Sequence, residues 1–255
     1  MMMQLSLEMM LLLIAGAFFA AFVDSVVGGG GLISVPLLLA TGMPTTDVLG
    51  TNKLAGTMSS LTSTVSFMRS GYVDLKVVRG LFILSAGGAV FGTLVLRAIP
   101  SDFLRPIVVV MLILITLYTV FRKNWGSMST FRSLTKGSAW LMGMAALGIG
   151  FYDGFFGPGT GSFLIFVFLM LGFDFVTAAG NAKVLNFGSN IASLVTFIFI
   201  GAVNYQIGIP MGLAMICGSL LGSRVAVRKG AAYVRPLFIA VCTLLIGKQV
   251  WDLLQ

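Results

Sequence analysis

Long stretches of this chain carry no charge at all. Residues Ile107–Phe121 and Ile191–Ile200 contain none, and over the whole sequence only 9% of residues are charged while 58% are apolar. A soluble domain keeps about a quarter of its residues charged, because it must present a polar face to water. Its surface helices also return a charge every few residues, on the side turned from the core. This chain has neither property. The fold class it can adopt is all-α, a polytopic helical membrane protein.

A full crossing takes roughly 20 apolar residues rising 1.5 Å each. The apolar segments are Leu5–Val23, Leu32–Thr41, Thr46–Met68, Leu75–Leu96 and Leu104–Phe121, then Ser138–Tyr152, Ser162–Leu171, Phe175–Ile200, Tyr205–Val225 and Val234–Trp251. Leu32–Thr41 and Ser162–Leu171 hold ten residues each and cover about half the hydrocarbon. Met1–Phe22 lacks a basic leader, so it reads as a first helix and not as a cleaved signal peptide.

The segments repeat. Gly29, Gly31, Gly42, Gly50, Lys53 and Gly71 recur 130 residues later as Gly159, Gly161, Gly172, Gly180, Lys183 and Gly201. Gly88, Gly92, Arg105 and Pro106 recur at the same offset as Gly218, Gly222, Arg235 and Pro236, and Asp24 recurs as Asp153 after a one-residue slip. Glycine is abundant enough to coincide by chance; the Lys and Arg-Pro pairs are not. The chain therefore divides into a first transmembrane repeat (1–121), a basic linker (122–137) and a second repeat (138–255), an arrangement common among secondary transporters.

Charge placement orients the halves. If each half crosses an odd number of times, Arg69, Lys76, Arg79, Arg122, Lys123, Arg132, Lys136, Arg224, Arg228, Lys229 and Arg235 share one side, against Arg97, Arg105 and Lys248 on the other. The positive-inside rule then predicts an inverted-topology repeat with a cytoplasmic linker and both termini outside. Five crossings per half satisfy this count, and so do three if the first two segments form a re-entrant hairpin.

The formal charge of +8 is explained by these anchors, so membrane lipids are expected as partners and nucleic acid is not. The chain has no His, the usual zinc ligand and general base, and Cys217 and Cys242 lie in apolar segments as packing residues. No metal or cofactor is expected, and no enzyme.

The chemistry concentrates at two breaks. The first is Asp24-Ser25-Val26-Val27-Gly28-Gly29-Gly30-Gly31; the second is Asp153-Gly154-Phe155-Phe156-Gly157-Pro158-Gly159-Thr160-Gly161. Successive glycines cost a helix about 1 kcal/mol each, and Pro158 has no N–H to donate. Unwound backbone inside a membrane must be buried in protein or line a wet cavity. Followed by a helix, it offers N–H groups and a positive dipole end to an anion. Gly29, Gly30, Gly31, Gly159, Thr160 and Gly161 are the backbone candidates, the plain alternative being close-packing points.

Gly50-Thr51-Asn52-Lys53 and Gly180-Asn181-Ala182-Lys183 follow, each a few residues into a long apolar segment. A Lys at the bilayer centre costs around 3 kcal/mol and is rarely placed there without a role. Snorkelling to the interface explains one such Lys more easily than two equivalent ones. Asn52, Lys53, Asn181 and Lys183 are thus expected around a shared cavity beside the breaks, drawing an anion, pairing with Asp24 or Asp153, or both. Lys183, Asn186 and Asn190 share a helix face, as do Lys53, Ser60, Ser63 and Thr64 roughly. Such stripes line a path or join helices through hydrogen bonds; Ser60, Ser63, Asn186 and Asn190 are the path candidates. Asp24 and Asp153 are candidates for ion coupling, with a helix-terminal cap as the alternative.

Phe22-Val23-Asp24-Ser25 with Gly28–Gly31, Pro36 and Gly50-Thr51-Asn52-Lys53 resembles the sulfite exporter TauE/SafE family of membrane permeases. Gly157-Pro158-Gly159-Thr160-Gly161 with Gly180-Asn181-Ala182-Lys183 and Asn186 is similar to that family too, and the likeness runs from Leu7 to Trp251. Asn181 departs from it, standing where a Thr is common. The resemblance implies a multi-pass bacterial plasma-membrane secondary transporter exporting sulfite, organosulfonates or related sulfur-containing anions, driven by a proton or sodium gradient. By the same resemblance Asn52, Lys53, Asn181 and Lys183 bind the substrate. The rival classes are a passive anion channel, a membrane-embedded enzyme and an accessory subunit, and assembly into a homo-oligomer is left open.

Overall fold

A computed structural model of the chain describes residues 6–96, 113 and 126–254. The expected segment Leu104–Phe121 apart from Ile113, and Arg97, Arg105, Pro106, Arg122 and Lys123, lie outside the described residues, as does the side chain of Lys248. The described part is helical: α1 (Leu7–Val27), α2 (Gly31–Leu39), α3 (Thr45–Arg69), α4 (Leu75–Val95), α5 (Lys136–Phe155), α6 (Thr160–Met170), α7 (Phe175–Phe199), α8 (Tyr205–Lys229) and α9 (Ala231–Leu254). Among them α1, α4, α7 and α8 are long and apolar enough to cross a membrane. α3 matches α7 at 25 residues, but its many Ser and Thr residues lower its hydropathy. It tolerates them because α7 and α8 cover it.

The first segment of each half runs further than its hydropathy suggested. α1 continues through Asp24 to Val27, where the sequence placed its end at Val23, and α5 continues to Phe155. The helix stops only where the backbone turns left-handed, at Gly28 (φ 78°) and Gly29 (φ 88°), and at Gly157 (φ 95°) and Gly159 (φ 91°). Those conformations suit Gly, which has no Cβ to clash. Asp24 and Asp153 consequently lie in the last turns of helices and not in the breaks.

After each break the chain folds back. Leu37 of α2 packs against Gly16 of α1, far up the helix from the break. In the second half the Tyr152 and Phe163 rings lie 5.4 Å apart across the break. The amides of Thr130 and Phe131, just before α5, donate to the carbonyl of Gly172, just after α6, at 2.7 and 3.0 Å. Each pair, α1–α2 and α5–α6, is a helical hairpin whose short arm, about 14 to 17 Å long, returns toward its origin.

The packing recurs between the halves. α3 packs on α7 at the centre; α8 flanks α3 and carries α1, while α4 flanks α7 and carries α5. Single contacts recur 130 residues apart. The Asp74 amide donates to Asn181 Oδ1 at 2.8 Å, and the Asn204 amide donates to Thr51 Oγ1 at 3.0 Å. Gly50 abuts the carbonyl of Ala202, and Gly180 that of Tyr72. Gly88 and Gly92 lie against the α5 backbone as Gly218 and Gly222 lie against that of α1. At each, a side chain would drive two helix backbones apart.

The same contacts fix direction. The Asp74–Asn181 bond sets the α3–α4 corner beside the start of α7, so α3 and α7 are antiparallel. Gly208 beside Thr51 and Leu54, Gly212 beside Met58, and Ser223 hydrogen-bonded to Ser66 at 2.7 Å make α8 parallel to α3. The residues Arg69, Lys76, Arg79, Arg132, Lys136, Arg224, Arg228 and Lys229 therefore gather at one end of the bundle.

Candidate functional site

The two breaks meet. Gly28 packs against the backbone of Gly161 and Ser162, Gly31 against Pro158, and the Ser162 hydroxyl donates to the Val27 carbonyl at 3.1 Å. Tyr152, in the last turn of α5, donates its hydroxyl to the Pro158 carbonyl and steadies the second break. Helices α3 and α7 cross beside this junction, with Gly56 of α3 in contact with Asn190 of α7.

Between them lies a cavity of about 50 Å³, counted as the space open to the centre of a water molecule. One water needs about 10–15 Å³ by that measure. The space therefore suits about four waters, or a single ion of similar heavy-atom count. Gly29, Gly30 and Gly31 line it from the first break, and Gly157, Gly159, Thr160 and Gly161 from the second. Asn52, Lys53, Gly56 and Ser59 of α3 face it with Asn186 and Asn190 of α7. Asp24, Asp153 and Ser34 add polar groups, and Ala20, Ala21 and Met215 close the apolar side.

Charge at the site is paired across the halves. Lys53 Nζ is 2.9 Å from Asp153 Oδ2, and Lys183 Nζ is 2.5 Å from Asp24 Oδ2. Each lysine thus binds the acid of the other half. Lys53, Asp153 and Lys183 are almost wholly buried, whereas the Asp24 side chain keeps 18% exposure. Asp24 also accepts the Gly30 amide at 3.0 Å, so it pairs with a lysine and with the backbone of the first break at once. With two lysines and two aspartates the site carries no net formal charge, and of the roles expected for the lysines the structure shows the pairing with the acids.

Several expected positions fall elsewhere. Asn181 does not reach the cavity: its carboxamide oxygen is taken by the Asp74 amide, and its equivalent in the other half is Thr51, not Asn52. Lys183 lies behind Asp24 and does not line the cavity itself. Ser63 shares a hydrogen bond of 2.7 Å with Ser25 of α1, and Ser60 turns to the Gly56 carbonyl of its own helix at 2.7 Å. Ser63 ties α3 to α1, whereas Ser60 bonds within α3. The breaks also spend donors internally, for the Thr160 amide and hydroxyl both go to the Gly157 carbonyl. Ser34 and Ser59 line the cavity and were not expected. The spacing Asn52, Gly56, Ser59 is the signal for Ser59, since i, i+4 and i+7 form one helix face. Ser34 is reached through Asn52, whose Oδ1 accepts its hydroxyl at 2.6 Å.

Comparison with known proteins bears on this arrangement. The family model of the sulfite exporter TauE/SafE matches residues 13–248. The chain belongs to the TauE/SafE family. Among its relatives, the probable membrane transporter protein ORF9 of a Sinorhizobium species is 41% identical over 241 residues, 94% of this chain and 92% of the relative. The probable membrane transporter protein of Haemophilus influenzae is 34% identical over 252 residues, 98% of each. The probable membrane transporter protein YfcA of Escherichia coli is 35% identical over 237 residues, 92% of this chain and 87% of the relative. No solved structure matches the chain. As a TauE/SafE protein the chain is a multi-pass transporter of the inner membrane and not an enzyme. The cavity lies well inside the span that the family model covers.

Proposed function

We propose that the chain is a secondary transporter that moves a small anion, sulfite or a small organosulfonate, through the cavity where the two breaks meet, with a proton or sodium ion as the coupling partner. The observation that carries this reading is the cavity itself. It has room for one small ion, and it is bounded by unwound glycine backbone, carboxamides and two ion pairs that bridge the halves. Carriers place their sites at the interface of inverted repeats, on discontinuous helices.

The domain reading goes with it: repeats 1–121 and 138–255, joined by the cytoplasmic linker 122–137, run in opposite directions. Antiparallel α3 and α7, the recurring contacts and the basic end of the bundle support this. Asn52, Asn186, Asn190 and the break glycines contact the anion, and Lys53 and Lys183 supply the positive charge.

The test is sulfite and small-sulfonate uptake by proteoliposomes, with pH and sodium varied separately. K53A and K183A are each expected to lower flux at least tenfold with expression retained. Uptake no faster than in empty liposomes across the anion panel rules those substrates out.

A further inference from the structure

The two ion pairs are alike in chemistry and unlike in access. Lys53 and Asp153 both line the cavity, and both are almost wholly buried. In the other pair only Asp24 lines the cavity; Lys183 is fully buried behind it. The cavity meets the Lys183 charge through the Asp24 carboxylate. That carboxylate has one oxygen on Lys183 Nζ and the other on the Gly30 amide. An ammonium and a backbone N–H converging on one oxyanion form a two-donor anion subsite, here filled by a side chain of the protein.

We propose that Asp24 is a tethered stand-in for the transported anion, and that each anion bound at Lys183 displaces it and fixes one proton on it. The proposal rests on the cavity being the transport site. Among the described residues, the charged groups facing Asp24 and its cavity are Lys183 from α7, Lys53 from α3 and Asp153 from α5; α2, α6 and α8 bring none to it. These sum to zero with Asp24 ionised. A monoanion alone leaves the buried cluster at one net negative charge, with two anions competing for Lys183. Adding a proton from bulk water to the displaced Asp24 returns the sum to zero and ends that competition. Of the two acids Asp24 is the one water reaches, with 18% of its side chain exposed against 3% for Asp153. Anion and proton then load together, as an electroneutral pair.

Linkage gives the sign. A bound anion beside Asp24 favours the protonated acid, so anion and proton bind in concert. With one proton taken up per anion, affinity for the anion falls tenfold for each unit rise in pH. Methanesulfonate is a suitable probe, because its own charge does not change over this range.

The experiment is calorimetric titration of the purified full chain with methanesulfonate from about pH 5.5 to about pH 8, with proton uptake followed by an indicator dye in weak buffer. The expected result is affinity that weakens toward tenfold per pH unit and about one proton bound per anion. D24N, whose carboxamide cannot take the proton, is expected to bind with pH-independent affinity and no proton uptake. Wild-type affinity that is flat with pH, or binding without proton uptake, overturns the proposal; the wild-type readings stand even if D24N folds poorly. Absence of methanesulfonate binding at every pH overturns it as well. Sulfite flux in proteoliposomes then shows whether the transport reading survives without it.

Discussion

Replacing the Lys53–Asp153 pair singly and together tests the inner architecture of the site. At an effective dielectric near 20, two unit charges 2.9 Å apart attract by about 6 kcal/mol. Against this stands the cost of stripping water from both groups, several kcal/mol for each ion. The intact pair therefore comes out near balance, while either half alone does not. K53M leaves the Asp153 carboxylate buried without its cation, and D153L leaves the Lys53 ammonium buried without its anion. Each single change is expected to cost about 3–5 kcal/mol, and the double variant K53M/D153L close to none. If the two costs simply added, the double would lose about 6–10 kcal/mol. The assay is unfolding of the detergent-solubilised protein by stepwise addition of a denaturing detergent, followed by helical circular dichroism, for all four proteins of the cycle. Transport is expected to fail in all three variants, so stability is the informative reading. A double variant as unstable as the sum of the singles refutes the reasoning, because it shows that the two groups do not compensate each other.

Other consequences are smaller in scope. N181A is expected to lose about 1–3 kcal/mol of stability, through the orphaned Asp74 amide, while keeping the wild-type apparent KM for the anion. N52A is expected to raise that KM without a comparable loss of stability, since its carboxamide lines the cavity; proteoliposome kinetics and unfolding on the same preparations separate the two. G28A is expected to abolish folded yield and flux, because a methyl there enters the Gly161–Ser162 backbone, whereas G71A shares the same φ of 78° in open space and costs only about 1 kcal/mol. S63A is expected to cost about 1 kcal/mol through its lost bond to Ser25 and to leave the substrate affinity alone, as measured in the same flux assay.

Much of this site could be read from residues one at a time. Glycine runs, a proline without an N–H, and lysines inside apolar segments are local features with local costs, and they located the breaks and the two charged helices. The short arms α2 and α6 were legible for the same reason, since length and hydropathy are properties of a single segment. What could not be read were the pairings. Whether Lys53 answers Asp24 or Asp153 depends on which hairpin lies beside which helix, and no periodicity encodes that. Asn181 was misplaced because its nearness in sequence to Lys183 stood in for nearness in space. One residue along a helix turns a side chain by about 100°, enough to carry it from the cavity to the Asp74 corner. The extension of α1 past Asp24 was hidden because hydropathy drops at an acid that tertiary pairing later neutralises. Ser60 and Ser63 look identical in sequence to Ser59, yet of the three only Ser59 lines the cavity, its hydroxyl bonded to Ser219 of α8.

The central claim is that an anion passes through the cavity between the breaks, and a cysteine at its wall tests this most directly. In a background with Cys217 and Cys242 replaced, Asn190→Cys places a thiol on the cavity lining, and Ser193→Cys places one at a buried position of α7 that does not line it. The account predicts that a small anionic thiosulfonate reagent blocks flux through N190C, that methanesulfonate, which does not react with the reagent, slows the block, and that S193C is unaffected. Full modification of N190C with flux unchanged contradicts it.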